Sequence, residues 1–361
     1  MQRICFALVL VALLASPVSA WSNKEHLQFA RIAAQRLIDD PNTPAEMKAW
    51  LASGLGKPMD MAAEKQWYLT ERIGLIVRTA DPLPYWATMP DMMVMGDAVY
   101  KKVEPWGVHE RLLHFVDVEY FMPDAARRVY RHDLSNKPAL GDFPDDPNDP
   151  RWAKAGMLPF RVRECYAKLV ESLRAGRLVD QPGQYPRDEH AIKWAGYLAH
   201  YLADNTQPQH ATVDYKSAMY FADQRKAPNV HSEMEYRMCD DDHEDYADLR
   251  AEFWPLFEKA LLEVKDPIEA KELFRATLEV SLISYDALPM IGQAAMAAAK
   301  QGGTPEKPQG PAGKFDTRVF FRSKGRFQGR DMTVMEMKAI QTAWAVKRIE
   351  RVWLDAWRES R

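Results

Sequence analysis

The chain has 361 residues, 47% of them hydrophobic, with 48 basic against 51 acidic side chains and a formal charge of −3. So even a balance excludes broad electrostatic capture of polyanions and leaves local basic patches or bound cations as the means of attracting an anion. Three cysteines exclude a disulfide scaffold, and the length is enough to bury a core without one.

The opening stretch "MQRICFALVLVALLASPVSA" joins Arg3 to an apolar run from Ile4 to Ala15, with small residues at Val18 and Ala20. That order predicts a secretory signal peptide over residues 1–20, cleaved after Ala20, and a secreted or periplasmic destination. The run is short for a bilayer span, and Cys5 lies too early to carry a lipid. Cleavage removes one arginine and no acid, so 47 basic and 51 acidic residues give −4 for a chain starting at Trp21. No later stretch is apolar enough to span a membrane. Of the cysteines, Cys165 and Cys239 remain, and the sequence leaves open whether they pair.

Apolar residues recur at helical spacing over 25–39, 60–79, 158–175, 187–205, 246–264, 267–299 and 332–358, while β-branched alternation is scarce. The expected fold is all-α, one multi-helix domain over 21–361. In the last segment Met335, Ile340, Ala343, Trp344, Val346, Ile349, Val352 and Trp353 form an apolar face that needs a partner. Helix breakers mark loops at "SNKPALGDFPDDPNDPRW" (135–152) and "QGGTPEKPQGPAG" (301–313). After the second comes "KFDTRVFFRSKGRFQGR" (314–330), in which basic residues alternate with phenylalanines. It reads either as a surface for anionic membranes or single-stranded nucleic acid, or as a surface hairpin whose phenylalanines pack inward.

The chemistry gathers in "AHYLADNTQPQHA" (199–211). His200 and Asp204, four apart on a helix, share a face, and Pro208 ends that helix so that His210 can fold back. A buried histidine with an acid one turn away is also an ordinary core hydrogen bond, so further ligands are needed. "NVHSEMEYRM" offers His231 and Glu235, again four apart; "WATMPD" offers Asp91, with Asp81 and Asp97 as rivals; "LLHFVDVE" offers His114; and "WSNKEH" sets His26 five residues after Trp21. Histidine and carboxylate are the donors zinc takes. His109, His132 and His190 fit no ligand pattern, "CDDDHED" (239–245) reads as a helix cap, and Met89, Met92, Met93 and Met95 read as packing. No phosphate-cradling glycine loop or Ser-His-Asp signature is present.

Taken in order, these motifs resemble the bacterial zinc-dependent phospholipases C and the secreted single-strand-specific nucleases of fungi and plants. The resemblance runs from residue 21 to about 240 and, more loosely, through the last helix. It implies a helical bundle of that type and a three-zinc cluster held by Trp21, His26, Asp91, His114, His200, Asp204, His210, His231 and Glu235. The implied allotment gives Asp91, His114, His200 and Asp204 to one zinc, His210, His231 and Glu235 to a second, and Trp21 (through its free amine and carbonyl), His26 and a bridging Asp204 to a third. Since Trp21 has no free amine before cleavage, the resemblance also implies a metal-deficient precursor. The implied reaction is phosphodiester hydrolysis by in-line attack of a zinc-bound hydroxide, with Asp91 orienting or deprotonating the water.

Substrate signals divide. Glu235 as the last ligand resembles the phospholipase branch, where the nucleases usually carry aspartate. Yet where that branch reads choline with an acid, a tyrosine and a phenylalanine, this chain has Lys24, Met92 and Arg111. Lys24 and Arg111 suit an anionic headgroup instead. Phe115 and Asp117 match the residues with which the nucleases stack and hydrogen-bond a base, but the same pattern occurs in the phospholipases, and the nucleases' arginine after the first aspartate is Val94 here. The expected function is a phospholipase C-like hydrolase, with a single-strand nuclease, and then a zinc-binding protein without turnover, as alternatives.

Overall fold

The computed structural model describes residues 21–56, 59–70, 81–94, 102–103, 105, 107–123, 132, 134–176, 191–239, 245–266, 268 and 271–361. The expected signal peptide lies outside these residues. No helix among them is long and apolar enough to cross a membrane.

The fold is an all-α, multi-helix bundle. Its long helices are α1 (Asn23–Asp39), α2 (Ala45–Ser53), α3 (Met61–Thr70), α4 (Pro82–Val94), α5 (Leu158–Gly176), α6 (Ala191–Asp204), α7 (Ala247–Glu263), α8 (Leu273–Tyr285), α9 (Leu288–Ala298) and α10 (Val334–Glu359). The described strands form three two-stranded antiparallel hairpins: β1 (Lys102–Val103) with β2 (Val108–His109), β3 (Gly302–Thr304) with β4 (Lys307–Gln309), and β5 (Lys324–Phe327) with β6 (Arg330–Thr333).

Helix α6 is the axis: α1, α4, α5 and α10 all pack on it, and it is buried almost all round, from Ala191 to Asp204. A helix so enclosed must be apolar on every face, which makes its His200 and Asp204 conspicuous. Two indoles brace its carbonyls, Trp353 donating to Ala195 at 3.1 Å and Trp21 to Ala203 at 2.9 Å. Both termini of the bundle are capped. Ser22 and Glu25 form a reciprocal capping box at the start of α1, as Thr333 and Glu336 do at the start of α10. The apolar face expected on the last helix meets α1, α6 and α7.

Several elements differ from the periodicity. The described residues of 267–299 form two helices, α8 and α9, because the chain turns at Asp286 and Ala287 and Pro289 cannot donate within a continuous helix. Helix α4 was not expected at all: prolines at 82, 84 and 90 obscure it, and Pro90 stands inside it. Residues 71–79 and 187–190 of the expected helices lie outside the described set. The 301–313 loop contains the β3–β4 hairpin. In 314–330 the phenylalanines turn inward, Phe320, Phe321 and Phe327 fully buried. Arg318 pairs with Asp248 at 2.9 Å, and Arg322 pairs with Asp248 and Glu252. Cys165 and Cys239 are both free and buried; the Cys239 sulfur lies 3.2 Å from the Tyr68 hydroxyl.

The contact between α4 and α6 rests on Gly196, where an added Cβ would come within 2.5 Å of Trp86 Cβ and 2.8 Å of its backbone carbon. Gly196→Ala is expected to force α4 off α6 and cost about 1–3 kcal/mol, read as a lower urea midpoint with unchanged slope.

Candidate metal centre

The centre forms where α6 meets α4 and two loops. One helical turn apart, His200 Nε2 and Asp204 Oδ2 are 3.3 Å from each other. The other His200 nitrogen, Nδ1, donates to Ala87 O on α4 at 2.8 Å. His114, leaving a 3-10 turn at Glu110–Leu113, brings Nδ1 to 3.0 Å from Asp204 Oδ2 and 3.2 Å from His200 Nε2. From α4, Asp91 Oδ1 lies 3.6 Å from His200 Nε2 and 3.7 Å from His114 Nδ1.

Beyond α6, Gln207 caps a 3-10 turn at Pro208–Ala211 that carries His210. His210 Nδ1 donates to His114 O at 2.7 Å, which presents Nε2 to His231 Nε2 at 3.1 Å and to Glu235 Oε1 at 3.7 Å. His231 and Glu235 sit on a turn that widens from α to π geometry over Glu233–Arg237, and their side chains meet at 2.7 Å. Such a widened turn re-aims side chains that an α-turn would space differently. Gln207 Nε2 donates to the same Glu235 oxygen at 3.0 Å.

At the amino-terminal side, His26 Nε2 is 3.2 Å from Asp204 Oδ1, 3.8 Å from Asp91 Oδ2 and 3.3 Å from Trp21 N. Three groups result whose ligand atoms lie within 4.8 Å of one another and could each hold a metal ion: His26, Asp91 and His200; His114, His200 and Asp204; and His210, His231 and Glu235. The last matches the expected allotment. His26, by contrast, is grouped with Asp91 and His200 as well as standing against Trp21 and Asp204. Of the rivals to Asp91, Asp81 accepts from Gly56 N at 3.1 Å and lies 3.9 Å from Arg31; Asp97 lies outside the described residues.

The donor set fits cations. With their Nδ1 protons committed to backbone carbonyls, His200 and His210 offer lone pairs at Nε2, 3.3 Å from Asp204 Oδ2 and 3.1 Å from His231 Nε2 respectively. Tetrahedral zinc with 2.0–2.1 Å bonds separates its ligands by about 3.3 Å, a spacing these atoms match. Asp204 Oδ1 and Glu235 Oε2 receive no hydrogen bond. Burial, reinforced by neighbouring histidines, holds His26 and His114 well below the usual imidazole range; burial also lowers His200 and His231. Burial drives Asp204 and Glu235 well above the carboxylate range, and Asp91 and Asp204 raise Glu235 further. Neutral imidazoles beside carboxylates that need a counter-charge are what a divalent ion completes.

The other expected site residues are placed as follows. Phe115 is half-buried, its carbonyl accepting from Leu158 N at 3.3 Å and its ring lying over Gly156, where a Cβ would be 2.7 Å away. Asp117 is buried, and burial together with Glu119 pushes its carboxyl well up. Arg111 is exposed, whereas Lys24 is buried with its ammonium 5.1 Å from the Trp67 ring and 5.5 Å from that of Tyr68. Met92, beside Asp91, is 47% exposed. His132 is buried against the Tyr220 hydroxyl at 3.3 Å and His109 is exposed; His190 and His243 lie outside the described residues.

Sequence reasoning missed Glu110 and Gln207. Glu110 is buried with Oε1 4.0 Å from His114 Nε2, accepts from the Tyr201 hydroxyl and faces Arg161 Nη2 at 3.4 Å. Its position four before His114 was the available signal. Gln207 stood in plain view in the quoted motif, but nothing local marked its amide as a brace for Glu235.

No family model matches the chain, and no curated protein matches it. Fold and site together define an all-α protein with buried groups of histidines and carboxylates able to bind metal ions.

Because Asp204 lies against two of the groups, Asp204→Asn is expected to lower the divalent metal retained after gel filtration, which elemental analysis reads directly. Glu119 is a separate case. Burial, against hydrogen bonds from Thr212 and Val213, raises its carboxyl to about 7. A raised acid contributes stability that is full below its unfolded value and lost as pH climbs through the folded one. Glu119→Gln is therefore expected to flatten the decline in thermal midpoint between pH 4.5 and pH 7.

Proposed function

We propose that the chain is a zinc-dependent phosphodiester hydrolase, phospholipase C-like in substrate, of the type its ligand motifs resemble. The observation that carries the reading is the Asp204 carboxylate, one oxygen toward His26 and the other toward His114 and His200. A shared carboxylate is the arrangement that sets metal sites close enough to act on one phosphate. Histidine with carboxylate favours zinc over softer metals or calcium. The proposed ligands are Trp21, His26, Asp91, His114, His200, Asp204, His210, His231 and Glu235.

When bound, the metals would supply charge for the phosphate oxygens and acidify water. The chain's own part is positional. Ala87 and the His114 carbonyl fix the rings of His200 and His210, Gln207 holds Glu235, and Asp91, near both His26 and His200, would orient or deprotonate the attacking water. Burial keeps bulk water from screening these charges.

Exposed Met92 beside Asp91 suits an acyl-chain substrate, and exposed Arg111 can read an anionic headgroup. Lys24, occupied with Trp67 and Tyr68, is poorly placed to help it. Lys314, Lys324, Arg326 and Arg330 remain exposed for contact with an anionic membrane surface. A single-strand nuclease is the second reading, favoured by the Phe115 ring pinned over Gly156 as a stacking platform.

Zinc-loaded protein beginning at Trp21, given mixed phospholipid vesicles and single-stranded DNA together, is expected to release diacylglycerol, with Asp204→Asn silent. Nucleotide release would select the nuclease instead. Neither product would sink the hydrolase reading for both substrates and leave a zinc-binding protein without turnover.

A further inference from the structure

The C-terminal helix α10 is mostly apolar where it enters the core, yet Lys338 on it is fully buried. Its ammonium lies 2.9 Å from Glu25 Oε1 and donates to Met234 O at 2.7 Å. It also stands 5.1 Å from the Trp21 ring. Each partner adjoins a candidate ligand. Glu25 precedes His26, and its other oxygen accepts from Ser22 N at 3.3 Å and Ser22 Oγ at 3.2 Å, fixing the turn that follows Trp21. Met234 precedes Glu235 within the widened turn.

Burying an ammonium and a carboxylate costs several kcal/mol per ion before their attraction offsets it. An apolar pair of similar volume would fill the same space more cheaply, so packing alone does not call for a lysine here. What a lysine adds is direction: one charged group tied at once to the Trp21–His26 segment and to the Met234–Glu235 turn. Those two segments are more than 200 residues apart in sequence.

We propose that Lys338 is a positioning residue of the metal centre, holding the Trp21–His26 ligands in register with the Glu235 turn, so that the metal at the Trp21–His26 corner depends on it. The proposal rests on the metal-binding part of the functional reading and not on the identity of the substrate. It assigns the last helix a role in metal binding although that helix supplies no ligand.

The test is zinc content after loading and gel filtration, with helical content followed by circular dichroism. Lys338→Met is expected to lose one zinc relative to the unaltered chain, and Lys338→Arg, which restores a buried cation, is expected to recover it. A merely structural lysine would show no such rescue of stoichiometry at equal helical content. Should Lys338→Met fold poorly because Glu25 is left unpaired, Glu25→Gln with Lys338→Met removes both charges, and the same loss of one zinc is expected. Either variant folding with its full zinc complement would overturn the proposal. An unaltered chain that takes up no zinc would overturn the metal reading, and this proposal with it; normal zinc binding without hydrolysis would overturn only the enzymatic reading.

Discussion

Everything in this fold is arranged around a charge problem. Asp91, Asp204 and Glu235 are placed in an interior where a lone carboxylate is among the costliest groups to bury, and the surrounding imidazoles are held neutral by the same burial. Cations between them would resolve both difficulties, and the helices bring the donors to one place. Helix α6 supplies two donors on one face, α4 a third and α1 a fourth, the turns after Glu110 and Pro208 add His114 and His210, and the widened turn adds His231 and Glu235. The carbonyls of Ala87 and His114 act as acceptors that orient two rings, so the scaffold fixes which nitrogen His200 and His210 present.

Part of this was legible from residue order. His200 and Asp204 declare themselves through four-residue spacing, His231 and Glu235 likewise, and the break at Pro208 does fold His210 back. Period and punctuation are local, and local signals survive in a sequence. Less was legible where the answer depends on distant chain. Asp91 could be told from Asp81 only once α4 had been laid against α6, because three prolines hide the helix that carries it. The widened turn at Glu233–Arg237 leaves no trace in spacing, since four residues separate His231 and Glu235 in either geometry.

The basic, aromatic stretch 314–330 shows the same limit from the other side. Its composition fits a surface for anions, but composition cannot say which way a side chain points. Phe320, Phe321 and Phe327 belong to the core, and Arg318 and Arg322 are engaged with acids of α7. Lys338 is the converse, a charged residue that the fold draws inside. Such inversions mark places where something other than burial decides the residue.

The scatter of the donors along the chain has a consequence for how the protein comes to its native state. Glu25 and Met234, far apart in the sequence, meet through Lys338, which comes later still. Contacts between such distant segments bring no stabilisation until the loops between them have closed, which makes them slow to form. The turn from His200 to His210 is local and can take shape early, whereas the corner at Trp21 waits for the final helix to dock. The expected order of assembly is therefore from the inside outward, with Trp21 among the last residues to find its place.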